Sequence, residues 1–302
     1  MKLTASIAFF HALAVQGIRI IHSNDDGWAE HYVRSFHAAL TSSGHDVLLS
    51  APADNQSGTG SKDVEPEPRS EPCMYDSCPG NNGPIGFNET SPELNWVNSF
   101  PVTAMKYGIH TLGPNRWDGE GPELAVSGPN VGANLWGVVK FSGTVGAASY
   151  AANKTGIPSL AFSGATTGHT AWNEPAPKAS HVYAELATKV TNKVIDSGRP
   201  YLPDGIFLNV NFPEVDDRCS SVDDFEFVLS RINKGFTSPP DVKWCGSNKL
   251  PTESVVSVAD GCYVSVSIGD AFDKTTANDE RQDVVLEKLK DILVCLPRCE
   301  DE

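Results

Sequence analysis

Positive charge is what this 302-residue chain has least to spare. Its 23 Lys and Arg stand against 38 Asp and Glu, a formal net charge of −15. A polymeric nucleic-acid partner needs cationic surface to displace counterions, so DNA or RNA binding is excluded as the main activity. Long apolar runs are also missing. The stretch Leu3 to Leu13, broken by small polar residues and His11, is too short to cross a bilayer, and no other segment approaches that length. No membrane partner is expected. Basic runs, low-complexity blocks and repeats of solenoid length are absent too. Gly58-Thr59-Gly60 lacks the third glycine of a dinucleotide fingerprint. No Gly-x-Ser-x-Gly elbow occurs, which argues against an α/β-hydrolase esterase. Acidity does not exclude a small phosphorylated substrate, because a bound metal reverses the local potential.

What is present begins with an N-terminal segment that reads as a secretory signal. Lys2 supplies its positive end, and Ala12-Leu13-Ala14 supplies a small-x-small cleavage site. Residues 1–14 are therefore expected to be a signal peptide and 15–302 the folded domain of a secreted protein. Seven cysteines agree with an oxidising compartment. The close pairs Cys73/Cys78 and Cys295/Cys299 lack matching zinc partners and are expected to be local disulfides, with Cys262 a buried free thiol. Sequons at Asn55, Asn88 and Asn153 fit a glycoprotein.

Strand and helix patterns alternate through the first two thirds. Ile18–Ile21, residues 46–51, 94–97, 123–127, 159–163 and 206–211 read as strands, each short and apolar. Helical spacing occupies 29–42, 101–112, 144–152 and 177–197. Residues 63–93, rich in Pro, Glu, Gly and Asn, read as an irregular disulfide-tied insert. From 214 to 302 comes an extension with exposed-face strands at 225–232 and 262–268 and a terminal helix at 279–294. The alternation implies a doubly wound α/β core with an appended β-region. At least two of Trp28, Trp136 and Trp172 are expected in that core; the other reading is a wall for stacking a base.

Four loops at predicted strand ends carry the chemistry. Asp25 and Asp26, in Asn24-Asp25-Asp26-Gly27, place two adjacent carboxylates after the first strand, a costly pairing that a divalent cation such as Mg²⁺, Mn²⁺ or Ca²⁺ offsets. An Asp-Asp-Gly surface turn is the rival reading of that pair alone. Ser57 follows the second strand, Asn130 and Asn134 follow the fourth, and Ser142-Gly143-Thr144 opens a helix. Carboxyl ends of strands in open α/β sheets are where ligands bind. Ser57 and the Asn130 amide complete a metal shell with neutral oxygens, leaving one cation able to polarise a phosphoryl oxygen and acidify water. Ser142, Gly143 and Thr144 offer hydroxyls and N–H groups to a phosphate, with Asn134 a further donor. His22 and His31 are read as structural or surface histidines.

In these pieces the chain resembles the SurE (stationary-phase survival protein) family of metal-dependent nucleotidases and acid phosphatases. The matching motifs are Asn24–Gly27, Ala51-Pro52 to Ser57-Gly58, Val126–Asn130 with Gly132–Asn134, Ser142–Ala148, Gly156–Pro158 and Leu208–Pro213. The resemblance implies one divalent metal held by Asp25, Asp26, Ser57 and Asn130, and hydrolysis of nucleoside monophosphates or similar monoesters. It also implies a Rossmann-like three-layer α/β/α sandwich whose C-terminal strand-and-helix extension makes homodimer contacts. Secretion, the cysteine insert after Asp63 and Pro129, which stands where an aliphatic residue is common, depart from the family pattern. The rival is a secreted Ca²⁺-dependent carbohydrate-binding or ligand-binding protein that keeps the metal without catalysis.

Overall fold

The computed structural model describes residues 17–235 and 238–297. The expected signal peptide and Cys299 lie outside them. Eleven strands form one sheet: β1 (Arg19–Ser23), β2 (Asp46–Pro52), β3 (Ile85–Asn88), β4 (Ser91–Val97), β5 (Leu124–Val131), β6 (Ser159–Gly164), β7 (Ile206–Phe212), β8 (Glu226–Ser230), β9 (Tyr263–Asp270), β10 (Thr275–Thr276) and β11 (Leu293–Val294). The helices are α1 (His31–Ser42), α2 (Pro101–Tyr107), α3 (Gly113–Arg116), α4 (Gly143–Thr155), α5 (Lys178–Asp196), α6 (Glu253–Ser257) and α7 (Asp279–Leu289). Strand order is β11-β8-β9-β7-β6-β5-β1-β2-β4-β3, with β10 on β9. From β4 to β7 the six strands of the centre run parallel, while β9 turns antiparallel to β7.

Side-chain alternation explains the three layers. Ile20, Val47, Leu124 and Val126 point to one face, where Tyr32, Phe36 and Leu40 of α1 meet Val182, Leu186 and Val190 of α5. Ile21, Leu48 and Ala125 point to the other, against Met105 of α2 and Ala147 and Ala151 of α4. Each large buried side chain contributes on the order of 2 kcal/mol, so both faces must be covered. α4 approaches closely because it is built of small residues. A Cβ on Gly146 would lie 2.0 Å from the Gly60 carbonyl oxygen.

The chain leaves β1 for β2 on one side and later returns to β5 on the other, with Ser23 beside Ser127. That reversal makes the crevice between β1 and β5 the switch point at which ligands bind in open α/β sheets.

Several expectations are corrected. Residues 63–93 are not wholly irregular, since β3 forms within them and pairs antiparallel with β4. The helix expected over 101–112 gives way to a wide turn at Gly108–Leu112 before α3. β8 and β9 are buried rather than half-exposed, because helices and the β7 neighbour cover them. Cys73 and Cys78 do form a local disulfide, but Cys262 is bonded to Cys219 and Cys295 to Cys245. The two long-range bridges tie the extension to itself, across separations of 43 and 50 residues. Replacing Cys219 and Cys262 together by serine is expected to cost about 4 kcal/mol through loop-closure entropy. Urea unfolding measures it, and a loss under about 1 kcal/mol would contradict the assignment.

Candidate active site

The loop after β1 carries Asp25 and Asp26 into the switch-point crevice, and both are almost fully buried. Gly27, at φ 104°, turns the chain beneath the Met74 side chain; a Cβ there would meet Met74 Cε at 2.9 Å. Each carboxylate is held from a different element. The Gly143 N–H donates to Asp25 Oδ2 at 3.0 Å, and the Thr144 hydroxyl donates to Asp25 Oδ1. The Val131 N–H donates to Asp26 Oδ2 at 2.8 Å, and Ser57 Oγ to Asp26 Oδ1 at 3.3 Å. Asn130 arrives because β5 shifts register after Ser127. Gly128 makes that kink at φ 102°, where the Phe162 carbonyl oxygen would lie 2.2 Å from any Cβ. Asn130 Nδ2 donates to the Gly132 carbonyl, which turns Oδ1 toward Thr144 Oγ1, 3.5 Å away.

Asp25, Asp26, Ser57 and Asn130 thus lie within one hydrogen-bonded cluster. Burial raises the Asp25 carboxyl above its ordinary range, against the hydrogen bonds from Thr144 and Gly143. Burial and then the charge of Asp25 push Asp26 well above it. Among the described residues no Lys or Arg forms an ion pair with either; His169 Nδ1 lies 3.9 Å from Asp26 Oδ1. Among the described residues no three His, Cys, Asp or Glu side chains gather as a metal cluster. The donors here are hard oxygens carrying two formal charges, which fits Mg²⁺, Mn²⁺ or Ca²⁺ and suits zinc or iron poorly.

The Ser142–Thr144 turn also reaches the site, but most of its donors are already used. Gly143 and Thr144 grip Asp25, and Ser142 Oγ caps α4 by accepting from Val145 N–H at 3.1 Å. The Ser142 hydroxyl proton is what the turn has left. Asn134 stands apart from the acid cluster. Its amide donates to Ser163 Oγ, its N–H to Asn211 Oδ1, and its carbonyl accepts from Asn209 and Asn211.

Sequence reading missed three contributors. His169, half-exposed, sits on the loop after β6, itself pinned to the start of α1 by His31 N–H to the Thr170 carbonyl. Gly168-His169 in a fifth strand-end loop was the available signal. Tyr75 is presented by the Cys73–Cys78 loop, which Trp28 Nε1 ties down through Ser77 Oγ. Burial, then the charges of Glu30 and Asp26, raise the Tyr75 phenol pKa. Glu253, from the extension, accepts from Asn209 Nδ2 at 2.6 Å and from the Trp136 N–H at 3.1 Å. Nothing in its surroundings in sequence marks it.

His22 is structural as expected. Its Nε2–H donates to the Gly128 carbonyl at 2.7 Å, and burial lowers its pKa to about 3. His31 bonds Ser35. Of Trp28, Trp136 and Trp172 only the first is core; the other two are 49% and 42% exposed, contrary to expectation.

Burial pushes Glu253 up to about 7 from an ordinary 4.5. Between those values the folded chain holds a proton that the unfolded chain has lost, so stability falls as pH rises through the window. Glu253→Gln is expected to flatten the fall between pH 5 and 7 by about 2–3 kcal/mol. Denaturant titrations across that range check it; parallel wild-type and mutant curves would contradict it.

A family model described as "Survival protein SurE" matches residues 20–234. The protein named "Acid phosphatase" from Yarrowia lipolytica is 31% identical over 281 residues, 82% of this chain and 78% of that protein. "5'-nucleotidase SurE" from Pelobacter propionicus is 39% identical over 136 residues, covering 44% of this chain and less than half (47%) of its own length. In structure, the SurE protein of Aquifex aeolicus superposes with a TM-score of 0.61 at 21% identity, covering 89% of this chain and 98% of that one, a likeness of fold.

Proposed function

We infer the function from the family: this chain belongs to the SurE family and is a hydrolase of phosphoric monoesters. We further propose that it is a secreted, divalent-metal-dependent phosphatase acting on nucleoside monophosphates or related small esters. The observation that carries the reading is the pair of adjacent, buried carboxylates at the switch point, with no Lys or Arg paired to them among the described residues. Buried charge of that density is costly unless a cation is bound.

Asp25, Asp26, Ser57 Oγ and Asn130 Oδ1 would hold the cation, which supplies Lewis acidity toward a phosphoryl oxygen and lowers the pKa of water. The α4 N-terminus fixes Asp25, and its partial positive charge favours both that carboxylate and an incoming phosphate. Ser142 Oγ–H is the donor we assign to a phosphoryl oxygen. Gly143 and Thr144 act by orienting Asp25, and Asn134 by holding its loop on β7. His169, at the mouth, is positioned to carry a proton to the leaving oxygen from its imidazole. The long-range disulfides support an extracellular setting.

Asp25→Ala or Asp26→Asn is expected to lower turnover of p-nitrophenyl phosphate at least about a hundredfold, and EDTA to abolish it reversibly. Near-normal hydrolysis in either variant would contradict the role given to the two acids, whereas metal-dependent ligand retention without phosphate release would favour the binding-protein alternative. A homodimer through the extension is part of the same reading. The outer face of the extension holds a cavity of about 1080 Å³ flanked by exposed Val255 and Val258. Sedimentation velocity is expected to give a dimer, and a monomer at micromolar concentration removes that proposal.

A further inference from the structure

A crevice of about 240 Å³ opens beside α4, walled by Gly146 and Ser149 of that helix, by Ser61, and by Phe272 and Lys274 of the β9–β10 turn. None of its lining residues belongs to the acid cluster. Two of its polar groups have no partner. Lys274 is 8% exposed, yet Nζ makes no hydrogen bond; Ser149 is 4% exposed, and its Oγ makes none either. Buried polar atoms are nearly always paired, and a buried ammonium is the most costly kind to leave alone.

Among the described residues no carboxylate pairs with the Lys274 ammonium. Asp63 is the acidic side chain on the crevice wall, and its carboxylate is already engaged by Thr103 Oγ1 at 2.9 Å and Lys106 Nζ at 3.1 Å. Burial alone acts on Lys274, lowering its pKa to about 8. The lysine is moreover held at φ 58°, a backbone conformation that an L-residue adopts at a cost. An amine placed there at such expense, in a chain of net charge −15, is a poor general-purpose surface group.

We propose that this crevice is a second anion site, in which Lys274 Nζ and Ser149 Oγ bind a phosphate-sized oxyanion. Both groups are donors, so the complementary ligand is rich in acceptors. A tetrahedral oxyanion presents one oxygen to each and fits the volume with water to spare. Exposed Lys154 at the mouth provides a second positive charge, which matches the dianion better than a simple carboxylate. The site lies behind the Ser57–Ser61 loop, since Gly146 touches Gly60 back to back.

Calorimetric titration of inorganic phosphate into the metal-replete protein tests this, with acetate at equal ionic strength as the second arm. The wild type is expected to take up one phosphate per chain more than Lys274→Met, and Ser149→Ala to weaken that extra binding about tenfold. Equal stoichiometry in wild type and Lys274→Met overturns the site, and acetate competing as well as phosphate overturns the oxyanion assignment. Should Lys274→Met not fold, Ser149→Ala decides on its own, and unchanged phosphate affinity and stoichiometry in that variant overturn the proposal.

Discussion

The contact between the first turn of α4 and the Asp25 carboxylate governs the centre of this molecule. Burying two neighbouring acids is the least favourable thing the chain does, and four donors from three parts of the fold share the task of making it bearable. The demand propagates outward as a demand for closeness. Gly143 has no room for a side chain, because a Cβ would sit 2.8 Å from Asp25 Cβ, and one turn later Gly146 must clear the Gly60 carbonyl. A helix with Gly and Ala at those positions buries little apolar area for its length. It is held instead by the sheet beneath it and the polar end it turns toward the acids.

Much of this was legible beforehand. Apolar runs such as Ile18–Ile21 and Ile206–Asn211 announce parallel strands buried on both faces, and Gly44, Pro52 and Pro213 punctuate them. The loops bearing Asp25, Ser57, Asn130 and Ser142 were legible because each joins an unusual polar group to a strand end. What sequence could not convey was which donors would be consumed by which acceptors. Ser142-Gly143-Thr144 reads as an open anion cradle, yet two of its three residues already serve Asp25. β8 and β9 read as half-exposed because serines interrupt them. In the fold Ser230 and Ser267 pair hydroxyl to hydroxyl at 2.8 Å and tolerate burial. The cysteine pairing failed for a related reason: neighbours in sequence were favoured, whereas the extension brings residues over forty positions apart side by side.

Glu253 changes how the extension is understood. Lying 44 residues beyond Asn209 in sequence, it reaches back to that amide on β7 and to the Trp136 backbone. Asn209 and Asn211 pass the restraint on to Asn134, so the loop leading into Ser142 is braced from the far end of the chain. The β-rich tail is thereby part of the machinery that aims α4, and not merely an appendage to a complete core.

The Cys73–Cys78 loop carries one more implication. It departs from the sheet beyond β2 and rejoins it through β3 and β4, meeting the acid loop through Met74 and Ser77 and through the packing of Cys73 and Cys78 with Trp28. The doorway to the acids is therefore an interchangeable part: a different segment spliced in after Ser57 and ahead of β3 would redraw which esters can enter while every group that grips the carboxylates stays where it is.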